Sequence, residues 1–234
     1  MFYSYYGSMI VLIPAMIFTM IVQVNIKRIY GYYSKVKNTN GITGMEAARE
    51  MLTRSGLAHL EINRLDVGGL TDYFDPQTNS INLSNEIYDG KSVAAIAIAC
   101  HEVGHAVQYA TSYAPIRVRN SIVPIVNLTA SISWPLIFLG LFLSSTSDVG
   151  SMLFNIGTLC FAMVCVFHLI TLPVELDASR RAINSMEKYG IAAGHDIGGS
   201  KKVLHAAAMT YVAALATSVM SLIRILLIRG MSRR

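Results

Sequence analysis

Residues 92–109 read SVAAIAIACHEVGHAVQY, and the rest of the chain is best read outward from them. The stretch is rich in alanine and isoleucine, so it is expected to be a helix. Its length would permit a membrane span. However, His101, Glu102, His105 and Gln108 make a bilayer location costly. The expectation is therefore a buried helix at the membrane surface. Buried histidine and carboxylate side by side are expensive unless paired or bound to metal.

His101-Glu102-Val103-Gly104-His105 has the spacing H-E-x-x-H. Residues four apart lie one turn apart on the same helical face, so two imidazoles can converge on one ion. Imidazole nitrogen suits Zn2+ at about 2.0–2.1 Å. Glu102, one residue on, borders such an ion without binding it and can act as general base. A catalytic zinc needs a third protein ligand and an open position. The downstream candidates are His168, Glu175, Asp177, His195 and His205. Glu175 is preferred, at the expected start of a helix over residues 173–189; the plainer reading is a carboxylate favoured by that helix's dipole. Asp177 lies about 200° round the helix from Glu175, so the two should not share one ion. His168 falls within an apolar run, where packing is its usual role. Cys100 reads as a small packing residue.

Around this helix the chain is apolar. Of its 234 residues 53% are hydrophobic and 14% charged, against about 25% charged in ordinary soluble domains. Four runs read as membrane spans: residues 9–24, 121–143, 149–172 and 203–228. The expected fold class is a mainly α membrane protein with a small α+β membrane-proximal module. Its segments are an N-terminal transmembrane anchor (1–24), a module with the metal-motif helix (25–120), a transmembrane hairpin (121–172), a helix carrying the third ligand (173–202), and a C-terminal transmembrane helix with a basic tail (203–234). Within the module, Thr43 and Glu46 form a capping box for a helix over 41–56, residues 61–65 and 80–84 alternate as strands, and 72–76 reads as a turn. The strand before the metal helix could pair with an extended peptide along an exposed edge, or be a plain core strand. The three cysteines imply no disulfide framework.

Several stretches together resemble the neutral zinc metallopeptidases of the YugP-like membrane family. They are Gly41-Ile42-Thr43-Gly44, the turn from Leu70 to Pro76, residues 92–108, residues 173–182, and Leu204 to Ala213 with Thr210-Tyr211-Val212-Ala213. The family's turn often carries a histidine where Phe74 stands, so that turn receives no metal role. The wider resemblance is to gluzincins, in which the third ligand is a glutamate on a later helix in the pattern E-x-x-A-D. Glu175 and Ala178 fit this pattern, with Ser179 in place of the aspartate. The resemblance implies a gluzincin-like active-site helix, Zn2+ held by His101, His105 and Glu175, Glu102 as general base, and hydrolysis of a polypeptide. With the usual aspartate gone, Asp177 or Ser179 is left to orient a histidine.

The function this implies is a membrane-embedded zinc endopeptidase acting on membrane-associated or misfolded protein. Tyr211 or His205 could stabilise an oxyanion, or simply pack. One alternative is an intramembrane site-2-type protease, but the only Asp-Gly, Asp89-Gly90, lies upstream in a polar loop. Another is a catalytically silent scaffold or adaptor, which has no need of Glu102. The basic residues sit between apolar runs, a topology signal rather than a nucleic-acid footprint. The lipid bilayer is thus an expected partner, nucleic acid is not, and nothing in the sequence fixes an oligomeric state.

Charge bias assigns the topology. Residues 25–120 and 174–202 carry most of the lysine and arginine, whereas the N-terminal tail and the loop at 144–148 carry none. The positive-inside rule then puts both basic segments, and the active site, on the cytoplasmic side of the plasma membrane. The basic C-terminal tail runs against this rule. The assignment is checked by impermeant thiol labelling of intact cells, using Ser34→Cys, Ser147→Cys and Ser185→Cys singly in a cysteine-free background. Ser147→Cys should label and the other two should not.

Overall fold

The computed structural model describes residues 8–66, 71–143 and 147–232. The tail before Ser8, Leu70, residues 144–146 of the loop, and Arg233 with Arg234 lie outside the described residues. A 3-10 turn, Ile10–Leu12, leads into α1 (Ile13–Tyr33), followed by α2 (Gly44–Arg54), β1 (Glu61–Leu65), β2 (Tyr73–Asp75), β3 (Ser80–Ser84) and α3 (Asn85–Tyr88). Four longer helices follow: α4 (Val93–Ala110), α5 (Ala114–Leu143), α6 (Asp148–Lys188) and α7 (Gly194–Ser232).

The described chain divides into two compact units. One combines Gln23–Ile116 with Pro173–Met209; the other combines Met1–Val22, Arg117–Leu172 and Thr210–Arg234. In the first, α2 starts where its capping box predicts: Thr43 Oγ1 accepts from Glu46 N at 3.1 Å, and Thr43 N donates to Glu46 Oε2 at 2.7 Å. Its apolar face, Ala47, Ala48, Met51 and Leu52, is buried. Ser92 caps α4 through Ala95 N at 3.1 Å. The three-stranded sheet has the order β1-β3-β2, with β3 parallel to β1 and antiparallel to β2. Every residue of β3 is buried. Of the two readings of this strand, the core strand is therefore correct: both its edges are occupied, and it has none to offer a peptide. The expected turn at 72–76 instead contains β2, an outer strand.

α4 and α6 touch through backbone. A Cβ on Gly104 would lie 2.5 Å from the Ala178 carbonyl oxygen, a distance only glycine permits. On α6, Val174, Ala178, Ala182 and Met186 recur every fourth residue and are buried, so this stripe forms the helix's core face. The expected break at Pro173 does not occur, for α6 runs through it. A proline costs the helix one hydrogen bond but need not end it where neighbouring structure holds both sides. Glu175 consequently sits in the middle of a long helix, and a dipole role at a helix start is excluded.

The second unit is an apolar bundle. Gly140 lets α5 approach α6 so closely that a Cβ would lie 2.4 Å from Phe154 N. Thr19 and Thr217 link α1 and α7 by a hydrogen bond of 3.1 Å between hydroxyls. Met16, Leu128, Phe142, Leu159 and Leu226 point outward. Among the described residues, four helices are long and apolar enough to cross a membrane. Both α1 and α7 extend past the runs seen in the sequence, because apolarity sets the extent of a span but not of a helix.

The Gly104 contact is open to test. Gly104→Ala should destabilise the folded protein by about 1–3 kcal/mol, as overpacking does. Gly198→Ala, where a Cβ meets nothing within 4 Å, should be neutral or stabilising. Thermal denaturation of both variants in the same detergent measures the contrast.

Candidate active site

α4 presents His101 and His105 on one face, with ring centroids 4.8 Å apart and planes at 81°. α6 brings Glu175 against them: its Oε2 lies 3.3 Å from His101 Nε2 and 3.5 Å from His105 Nε2. The candidate ligand atoms of the three residues lie within 4.8 Å of one another, and all three side chains are at least largely buried. Among the described residues this is the one convergent group of histidine, cysteine or carboxylate suited to a metal ion. The other downstream candidates do not join it. His195 and His205 are exposed, and Asp177 is committed elsewhere. His168 belongs to the membrane bundle.

The partners of the two imidazoles decide what the cluster can hold. Gln108 is fully buried, and both N–H groups of its amide are used, donating to the Val174 carbonyl at 2.8 Å and to Asp177 Oδ2 at 2.9 Å. Its Oε1 therefore faces His105 Nδ1 at 3.1 Å. An amide oxygen only accepts, so Nδ1 carries the proton and the neutral ring keeps its lone pair on Nε2. That lone pair points at the Glu175 carboxylate. Two acceptors face each other at 3.5 Å, an arrangement that is favourable only with a cation or a proton between them. His101 Nδ1 lies 3.2 Å from Ser179 Oγ, which leaves its Nε2 for the same point. The donor set of two imidazole nitrogens and one carboxylate oxygen fits Zn2+ with a position left open.

Asp177 is itself clamped by Arg180 and Arg181. The two residues considered as replacements for the missing aspartate thus both take part. Ser179 contacts His101 directly, whereas Asp177 acts on His105 through Gln108. The role of Gln108 was not read from the sequence. Its position three residues after His105, on the same helical face, was the available signal.

Glu102 is buried beside the cluster, and its Oε2 accepts from Phe74 N of β2 at 3.1 Å. Burial pushes its carboxyl up to about 8; the charges of Glu175 and Asp72 add to the rise, while His101 and the Phe74 N–H oppose it. A bound cation would add an opposing charge and draw the value down. Phe74 also packs on Tyr109, with centroids 5.9 Å apart. Cys100 is fully buried and its thiol is pushed up to about 12, consistent with packing and not with ligation.

Known proteins point the same way. Residues 8–230 match the family model described as "Putative neutral zinc metallopeptidase". The chain is 40% identical over 207 residues to "Putative membrane protease YugP" of Bacillus subtilis (strain 168), covering 88% of this chain and 89% of that protein. No solved structure matches it to significance. With its four apolar helices, it is a multi-pass membrane protein. A family match over nearly the whole chain, and a relative matched along nearly its full length, establish that this chain belongs to the family of neutral zinc metallopeptidases.

Proposed function

We propose that the chain is a zinc-dependent endopeptidase of gluzincin type, in which His101, His105 and Glu175 hold the metal and Glu102 is the catalytic base. The observation that carries this reading is the convergence of His101 Nε2, His105 Nε2 and one oxygen of Glu175, with Glu102 buried alongside. Zinc bound there would lower the pKa of a water molecule and polarise a peptide carbonyl. Glu102, buried beside the three ligands, would take a proton from a water molecule there and return it to the leaving amine nitrogen. Burial raises its carboxyl and a bound cation would lower it, and those opposing pulls suit a group that must both take up and release a proton.

Gln108 and Ser179 keep the two imidazoles turned so that Nε2 faces the metal. The outer strand β2 borders Glu102, so an extended polypeptide would lie beside Tyr73–Asp75 rather than beside β3. Substrates are taken to be membrane-associated or misfolded polypeptides, cleaved at the cytoplasmic face. Residues 25–120 and 173–202 then form the catalytic module, and the apolar runs anchor it.

Three substitutions separate these roles. His105→Ala should lose stoichiometric zinc, measured by elemental analysis of the folded protein. Glu102→Gln should retain zinc and fold while turnover of an unfolded protein substrate falls by about 10³-fold or more, because base and metal act as a unit. Retained turnover in that variant would refute the mechanism. Gln108→Leu should weaken zinc binding by about 10–100-fold, read in a chelator competition.

A further inference from the structure

α4 carries a third side chain on the face that presents the two histidines. His101, His105 and Tyr109 follow one another at intervals of four residues, so Tyr109 stands one turn beyond His105 on nearly the same line. The histidine side chains are only 15% and 9% exposed, whereas Tyr109 is 40% exposed. A lone exposed aromatic residue is ordinary. This one is set apart by what holds it.

The Tyr109 ring packs on Phe74, with centroids 5.9 Å apart and planes at 57°. Phe74 is itself packed against the core of the module, and its N–H donates to Glu102 Oε2 at 3.1 Å. One residue of β2 thus braces the Tyr109 ring with its side chain and the Glu102 carboxylate with its backbone. Tyr73, next along β2, projects to the opposite face of the strand and takes no part in this surface. An aromatic pair already fixed in place loses little freedom when a further apolar group stacks on it.

Distance relates the ring to a substrate. β2 is paired along one edge only, by β3, and its other edge is open. A polypeptide extended there advances about 3.3 Å per residue. The turn from His105 to Tyr109 advances about 6 Å. On that scale the ring lies within about two residues of a bond held at His105.

We infer that Tyr109 is a specificity-determining residue, whose ring, backed by Phe74, receives an aromatic or large aliphatic side chain of the polypeptide within two residues of the bond cleaved. The inference rests on the peptidase reading above and adds to it the class of sequence that is cut. The ring selects and the hydroxyl does not, since an apolar side chain offers the hydroxyl nothing to bond.

The full-length, zinc-replete protein in detergent is given a reduced and alkylated globular protein, and the cut bonds are mapped by mass spectrometry. Aromatic and large aliphatic residues should be enriched within two residues of the cuts. A peptide spanning one such bond is then compared with a copy in which serine replaces the apolar residue. The wild-type protein should favour the apolar peptide by about tenfold or more in kcat/KM, the discrimination expected of an apolar contact. The Glu102→Gln protein, which does not turn the peptides over, should show the same preference in binding, read by fluorescence anisotropy of labelled peptides. Tyr109→Ala and Tyr109→Gln should each bring both ratios close to parity, and Tyr109→Phe should keep them. Cleavage without apolar enrichment overturns the inference and leaves the peptidase reading standing. A preference that survives in a folded Tyr109→Ala or Tyr109→Gln protein also overturns it. So does equal slowing of both peptides, the mark of a structural role or of an aromatic anchor at the membrane surface. Loss of turnover in Tyr109→Phe would assign the hydroxyl to the reaction and overturn it too. Absence of any cleavage by the zinc-replete wild-type protein removes the peptidase reading, and the inference with it.

Discussion

The convergence of His101, His105 and Glu175 depends on a close backbone contact, Gly104 lying against the Ala178 carbonyl. His101 and His105 flank Gly104 on α4, and Glu175 precedes Ala178 by less than one turn on α6. The ligands therefore come from the turns where the two helices meet. Metal–ligand distances tolerate only about 0.2 Å of error. A single methyl group at Gly104 would demand far more displacement than that.

Once the helices are that close, electrostatics becomes the governing problem. Glu102 and Glu175 are both buried in one small volume, with Asp72 near enough to raise the Glu102 carboxyl. Like charges in such a place cannot all persist without compensation. The amide oxygen of Gln108 fixes which nitrogen of His105 carries the proton and leaves Nε2 turned to Glu175. The arginines nearby are turned to Asp177 instead. A cation at the point where the three side chains converge would supply the compensation.

Much of this was legible in the sequence, for reasons that differ by residue. His101, Glu102 and His105 announce themselves because helical periodicity turns a spacing of four into a shared face. Glu175 was preferred among the downstream candidates from its place at an expected helix start, and the resemblance supported it, since no periodicity across the intervening chain links it to α4. Its local setting was misjudged, because a proline looks like a boundary in the sequence and Pro173 lies within a continuous helix. The centrality of β3 was ambiguous for a related reason. Alternation of side chains reveals a strand, but pairing along both edges involves backbone groups that every sequence possesses. Gln108 was noticed only as a polar group on the helix, because a buried glutamine takes its role from its partners, and Val174 and Asp177 are more than sixty residues away.

The exchange of the expected aspartate for Ser179 changes more than one hydrogen bond. A carboxylate behind a ligating imidazole fixes the ring and also adds negative charge to the site. Here the two tasks are divided. The rings are fixed by neutral groups, a serine hydroxyl for His101 and a glutamine amide for His105. The nearest carboxylate behind them, Asp177, stands one residue further out and is paired with two arginines. Were a cation bound, Glu175 would be the carboxylate in contact with it, with Glu102 buried alongside. An imidazole backed by a hydroxyl or an amide oxygen would be less basic than one backed by a carboxylate, and would pass less electron density to that cation.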